Sequence, residues 1–167
     1  MRQSHDNRLL PWLPRLRRYA QALTHNRDDA DDLVQDTLER AWAKSAHWPL
    51  ILDMRAWLFS IMHNLYIDGV RRPRVPVSEM AEHDASVEAH HDKQLTLMDL
   101  QAALRHLPPE QKEVVLLVAL EDMAYADIAH ILNIPVGTVM SRLSRGRVRL
   151  RLLMEGPRNS VRVTRVK

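Results

Sequence analysis

The 167 residues include no cysteine. That excludes a disulfide framework and any thiolate metal site, and it agrees with a reducing compartment. Long apolar runs are also missing. The longest extends from Val114 to Leu120, far short of the about 20 residues that a bilayer crossing needs. The opening stretch, Met-Arg-Gln-Ser-His-Asp-Asn-Arg, lacks the apolar centre of a secretory leader. A soluble, intracellular protein is the expectation. No segment alternates apolar and polar residues as a half-buried strand would. Bulk charge is low too: 24 Lys and Arg against 21 Asp and Glu give a net +3. A total this small does not select a nucleic-acid partner by itself.

The placement of charge is more informative than its sum. After Gly137 come Arg142, Arg145, Arg147, Arg149, Arg151, Arg158, Arg162, Arg165 and Lys167, against the single acid Glu155. Acids concentrate instead over residues 28–36 and 79–92. Such segregation predicts different partners for different surfaces. With 46% hydrophobic and 27% charged residues, the chain has a globular composition and room for one domain or two small ones.

Apolar residues recur almost everywhere at helical spacing. Leu13, Leu16, Ala20 and Leu23 form one stripe, with Pro14 suited to a first turn. Ala30, Leu33, Val34, Thr37, Leu38, Ala41 and Trp42 form a second. Asp28 or Asp29 can cap that helix, and the acids around them suit its positive end. Pro49 breaks the chain. Asp53 can cap a third helix with the stripe Trp57, Leu58, Ile61, Met62, Leu65, Tyr66, ending near Gly69. Periodicity then disappears over residues 75–92, an acidic stretch that reads as a flexible linker. It resumes with Leu97, Leu100, Leu104 and Leu107. Pro108-Pro109 stops this helix and starts the next, which carries Val114, Leu117 and Val118 inside. Helices over about 125–132 and 135–154 follow. The basic tail from Gly156 has no stripe, and fraying is expected there. The fold class read from this pattern is all-α: two small helical domains joined by a flexible acidic linker.

The C-terminal helix pair has the chemistry of a helix-turn-helix. Ile128, Ile131 and Leu132 give its first helix a buried face, and Ala129 is small enough for close approach. Asn133 sits where the backbone must turn left-handed, which Asn tolerates best after Gly. Ile134 fills the angle and Pro135 suits the start of the second helix. Val139, Leu143, Gly146, Leu150 and Leu153 continue the buried seam. Thr138, Met140, Ser141, Arg142, Ser144 and Arg145 are left on or near the opposite face. Arginines and hydroxyls there can meet phosphates and guanine edges in a major groove. The free N–H groups at the helix start can hold a phosphate. An ordinary helical hairpin with a solvated basic face would share the periodicity but not the turn residues.

Three motifs now resemble one family, the extracytoplasmic-function (ECF) sigma factors of the sigma-70 family. Asp31-Asp32-Leu33-Val34-Gln35-Asp36-Thr37-Leu38-Glu39-Arg40-Ala41-Trp42 is similar to its polymerase-binding helix. Arg55-Ala56-Trp57-Leu58 and Asn64-Leu65 resemble its helix for the −10 element. Leu107-Pro108-Pro109-Glu110-Gln111-Lys112-Glu113-Val114, with Ile134-Pro135-Val136-Gly137-Thr138-Val139 and Ser141-Arg142, resembles its promoter-binding C-terminal domain. The resemblance spans about residues 9–155, with the motifs in the family's order.

The resemblance implies a region-2 domain over residues 1–74, a linker over 75–92, a region-4 domain over 93–156 and a basic tail over 157–167. It implies core RNA polymerase docking by Asp32, Leu33, Gln35, Asp36, Glu39 and Arg40. It assigns the −10 element to Trp48, His63, Asn64, Arg71, Arg72 and Arg74, and the −35 element to Thr138, Met140, Ser141, Arg142, Ser144 and Arg145. The segment 46–52 would capture a base, and Trp48 either stacks there or packs under the loop. Trp57 and Tyr66 read as core. With no ATP-binding loop, strand opening would draw on binding energy. The linker acids either mimic nucleic acid within the polymerase or form a solvated tether. An anti-sigma factor, which could hold the chain at the inner membrane in a stress or envelope response, is implied as a further partner. No cofactor, metal or catalytic residue is implied, and the free chain is expected to be monomeric and cytoplasmic.

The chain departs from the family pattern in three places. His63 stands where a basic residue is frequent, Met140 where Lys or Arg is frequent, and Gly146 where Ala is common, the last costing about 1 kcal/mol of helix propensity. These concern the promoter sequence read. Two other classes compete. A stand-alone helix-turn-helix regulator would lack a polymerase-docking module. A metalloenzyme could use Asp28 and Asp32 at i, i+4, but no histidine follows at such a spacing, and capping accounts for the acids. His83, His90 and His91 read as solvated linker residues, with metal binding as their alternative.

Overall fold

The computed structural model describes residues 8–71 and 91–155. The N-terminal seven residues, most of the expected linker with His83 and His90, and the basic tail lie outside the described residues. Among the described residues there are helices and no strand. The chain divides into two compact units, Met1–Leu95 and Thr96–Lys167.

In the first unit, α1 (Leu13–Thr24) follows a 3-10 turn at Leu10–Trp12, α2 covers Arg27–Ala43, and α3 covers Met54–Arg71. α1 packs on α2, and α2 on α3. α1 buries Leu16, Tyr19, Ala20 and Leu23, while Leu13 is only half-buried. The Tyr19 ring meets Phe59 of α3 edge-on, with centroids 5.2 Å apart. α3 buries Leu58, Phe59, Ile61 and Met62. Trp57 and Tyr66, expected in the core, are only half-buried, and Phe59 takes the interior place.

The N-cap of α2 is Asn26, not Asp28 or Asp29. Its side chain accepts the Asp28 N–H at 2.9 Å, and both aspartates lie in the first turn. There their charge still favours the helix dipole. Ala30, Leu33, Val34, Thr37 and Ala41 are buried. The stripe stops there: Leu38 is half-buried and Trp42 is exposed. Asp53 caps α3 as expected, accepting the Ala56 N–H at 3.0 Å.

The helix α4 (His91–Arg105) enters the second unit at Thr96, and α5 (Pro109–Glu121), α6 (Tyr125–Leu132) and α7 (Val136–Glu155) follow. α5 packs on both α6 and α7, and α6 on α7. α5 buries six consecutive residues, Lys112 to Leu117. The spacing predicted a one-sided helix. A helix enclosed on all sides needs apolar residues all round, and Val115 and Leu116 supply them. α4 buries Ala103 and Leu104, but Leu97 of its expected stripe is exposed. The α7 seam holds at Val139, Leu143 and Gly146, weakens at half-buried Leu150, and is lost at exposed Leu153.

Gly146 sets the depth of that seam. A Cβ placed on it would lie 2.8 Å from Val115 Cγ2 and 3.4 Å from Gln111 Cβ. The missing methyl lets α7 lie directly against α5, which offsets the helix-propensity cost of glycine.

Candidate nucleic-acid and protein interfaces

In the first unit, α2 exposes a polar face. Asp32, Gln35, Asp36, Glu39 and Arg40 follow i, i+3, i+4, i+7, i+8 along α2, and all are exposed. Gln35 Nε2 donates to Glu39 Oε1 at 2.9 Å, fixing part of the face. Leu33, expected among the docking residues, is a correction. It is one position round the helix, 8% exposed, and belongs to the core. A polar face of this kind suits a charged, salt-sensitive protein contact.

Beside it, the 3-10 turn Ser45–Leu50 joins α2 to α3. Trp48 was a candidate base platform, and the structure removes it from that role. Its side chain has no exposed surface, its indole N–H donates to the Ala41 carbonyl at 3.0 Å, and its ring stands edge-on to Trp42 with centroids 5.9 Å apart. A buried ring whose one donor is satisfied is part of the core. Packing of Trp48 under the segment pushes its neighbours outward. Leu50 is 78% exposed and Leu52 fully so. These two leucines were not singled out from the sequence. Their signal was the break in periodicity around Pro49, which left them with no helical stripe to join.

On α3, Asn64 is exposed and His63 half-buried. Arg71 is the last residue of the helix. Its side chain lies outside the described residues, as do Arg72 and Arg74.

In the second unit, α6 and α7 meet through a tight left-handed turn. Asn133 has φ 51° and ψ 50°. The Ile134 N–H donates to the Ala129 carbonyl at 3.0 Å, and the Asn133 N–H to that of His130 at 3.3 Å. This satisfies the carbonyls left over at the end of α6. Pro135 then leads into α7, and its carbonyl accepts from the Thr138 and Val139 N–H groups at 2.9 and 3.2 Å. With Val139, Leu143 and Gly146 facing inward, Met140, Ser141, Ser144 and Arg145 are exposed, and Thr138 and Arg142 half-buried.

The arginines of this face are not idle. Arg142 Nη2 lies 3.5 Å from Glu110 Oε2 at the start of α5. Arg145 folds back along its own helix. Its Nε donates to the Ser141 carbonyl at 3.2 Å and its Nη2 to Ser141 Oγ at 3.3 Å. Exposed contacts of this kind are weak, typically 0–1 kcal/mol, so a phosphate or guanine edge can displace them. On α5, burial lowers the pKa of the Lys112 ammonium from its ordinary value.

A left-handed turn between a short helix and a longer one that shows arginines and hydroxyls outward defines a DNA-reading helix-turn-helix. In the same chain, a separate helical unit exposes an acidic helix face. The comparisons with known proteins agree with this class. Residues 9–63 match the family model described as the Sigma2 domain of PhyR, and residues 97–150 match that of Sigma-70, region 4. The ECF RNA polymerase sigma factor EcfG of Rhodopseudomonas palustris is 36% identical over 149 residues, 87% of this chain and 82% of that protein. Among solved structures, the sigma factor RpoE of Bartonella quintana, crystallised with the anti-sigma factor NepR, aligns with a TM-score of 0.75 at 34% identity. The match covers 93% of this chain and 99% of that one. CnrH, solved with the cytosolic domain of CnrY, aligns with a TM-score of 0.70 at 25% identity, over 93% of this chain and 90% of that one. The chain belongs to the ECF RNA polymerase sigma factors of the sigma-70 family.

Proposed function

We propose that the chain binds core RNA polymerase and directs it to specific promoters, acting by binding rather than by catalysis. The observation that carries this reading is the pairing of two surfaces in one chain: the acidic face of α2 and the arginine- and hydroxyl-bearing face of α7. In this reading residues 1–74 form region 2, residues 93–156 form region 4, residues 75–92 connect them, and residues 157–167 form a basic tail. Asp32, Gln35, Asp36, Glu39 and Arg40 dock on the polymerase. Asn64 and His63 on α3, followed by Arg71, Arg72 and Arg74, meet the −10 element. Leu50 and Leu52 are suited to enter a gap between bases, since apolar wedges unstack a duplex without any fuel. Thr138, Met140, Ser141, Arg142, Ser144 and Arg145 meet the −35 element.

The reading extends to regulation. RpoE was solved with the anti-sigma factor NepR and CnrH with the cytosolic domain of CnrY, which supports control of this chain by a protein partner of the anti-sigma kind. The chain would act in the cytoplasm, where core polymerase is. No helix among the described residues is long and apolar enough to cross a membrane.

Gel filtration with purified core polymerase tests the docking half. The chain is expected to co-elute with core. Asp32→Ala/Gln35→Ala is expected to weaken association by about tenfold, the size of one interface contact of moderate weight. Failure of a folded, partner-free chain to associate with core would contradict the reading. Retained sequence-selective DNA binding would then favour a stand-alone regulator.

A further inference from the structure

The DNA-facing side of α7 includes an apolar strip that its charges do not explain. Residues 140, 144 and 148 lie four apart, on one ridge of the helix. Met140 is 54% exposed and Val148 is 55% exposed. Tyr125, the first residue of α6, is 38% exposed alongside them. With Ser144, Arg147 and others they line an open groove of about 310 Å³. On the other flank of Met140 are Ser141 and Arg145. An exposed methionine thus sits between hydroxyls and guanidinium groups, in the first two turns of the helix that the preceding reading places in the major groove.

The major groove offers hydrogen-bond acceptors and donors on every base pair, but one apolar group only, the C5-methyl of thymine. Methionine brings no donor, so it cannot read a guanine edge as Arg or Lys would. It has a flexible, polarisable thioether able to cover a methyl group closely. We propose that Met140 reads a thymine C5-methyl in the −35 element, so that this chain selects an A·T pair there through apolar contact. The proposal rests on the assignment of α7 to the −35 element and adds to it the chemical group that one position recognises. Ser141 and Arg145 supply the polar contacts beside it. Val148, two turns further along the ridge, and Tyr125 keep that side of the contact apolar.

The test uses holoenzyme assembled from core polymerase and the full chain. A −35 sequence is first selected by binding from duplexes randomised in that region. Each thymine in the selected element, on both strands, is then replaced singly by deoxyuridine, which removes the methyl and leaves every hydrogen-bonding group in place. One replacement is expected to weaken binding by about three- to fivefold, the effect of one buried methyl group. Holoenzyme with Met140→Ala should bind the thymine duplex more weakly and lose discrimination between thymine and uracil at that position. Met140→Leu should retain it, and Arg145→Ala should bind more weakly overall while still discriminating. Because Met140 is exposed, circular dichroism should show the variants folded.

If no thymine-to-uracil replacement changes binding although a −35 sequence was selected, the proposal is overturned while the helix-turn-helix reading stands. The apolar groove would then be assigned to a protein contact. Equal loss in wild type and Met140→Ala overturns it too, as does a selected element without an A·T pair. If selection yields no preferred sequence, the assignment of α7 itself fails, and the proposal with it.

Discussion

At the residue scale, two positions on facing elements, Gly146 and Lys112, can be tested singly. Gly146 is the clearest. An Ala at this position would gain about 1 kcal/mol of helix propensity. Its methyl, however, would meet Val115 Cγ2 at 2.8 Å, and a buried β-branched neighbour has little freedom to retreat. Overpacking of this kind costs typically 1–3 kcal/mol, so Gly146→Ala is expected to destabilise the second unit by about 1 kcal/mol net. Urea unfolding should show it, and the added change Val115→Ala should remove the clash and much of that penalty. From the sequence this glycine was legible only as a departure from the family's pattern, because the reason for it lies on another helix.

Lys112 provides a pH test. Burial lowers its pKa from the ordinary 10.5. Between the lowered value and 10.5, the unfolded chain binds more protons at this site than the folded chain, so the site adds stability as pH rises through that window. Below the window the full cost of burying the charged ammonium is present. Lys112→Met is therefore expected to stabilise the chain at neutral pH, with an advantage that shrinks as the solution is made alkaline. Denaturation of both proteins at neutral and alkaline pH measures this. A gap that widened with pH would contradict it.

At the element scale, helix ends were read from the sequence less well than helix faces. The α2 stripe was visible because buried residues recur with the helical period, yet its cap was placed two or three residues late. Asn26, Asp28 and Asp29 all suit a helix start, and it is the Asn26 side chain that accepts the Asp28 N–H. Asn26→Ala should cost about 1 kcal/mol, more than Asp28→Ala, because only the former removes the hydrogen bond to an orphan N–H. Comparison of thermal midpoints separates the two. Trp42 and Leu153 show a second limit. Periodicity continues a stripe as long as apolar residues occupy it, whereas burial ends where the neighbouring helix ends. The α6–α7 turn was the most legible element of all, since the left-handed conformation of Asn133 leaves so few residue types able to occupy it. Asn133→Val is expected to destabilise the second unit by about 1–2 kcal/mol, and Asn133→Gly to be near neutral.

At the scale of the whole molecule, the charge segregation that stood out in the sequence corresponds to surfaces on different units. The acids at 32, 36 and 39 line an exposed face of α2, and Arg142, Arg145, Arg147, Arg149 and Arg151 lie on α7. What the sequence could not decide was which candidate side chains were available. Leu33 and Trp48 sit inside positions suited to docking and base capture, and both are buried. Arg142 and Arg145 already hold partners of their own. The α7 face should act largely through phosphate contact. Arg145→Ala is expected to weaken promoter binding and to reduce its salt dependence by about one unit of log–log slope if that arginine neutralises one phosphate. Titrations at several salt concentrations would show whether it does.

The proposed role of the whole molecule is to convert core polymerase into a promoter-specific transcription complex. Run-off transcription tests this most directly. Core polymerase is supplied with and without the chain on a pool of duplex templates, and transcript starts are mapped. Starts are expected at discrete positions that depend on the added chain and share upstream sequence at both the −10 and −35 spacings. Chain-independent starts, or sequence-specific DNA binding by the chain with no chain-dependent transcript, would contradict it.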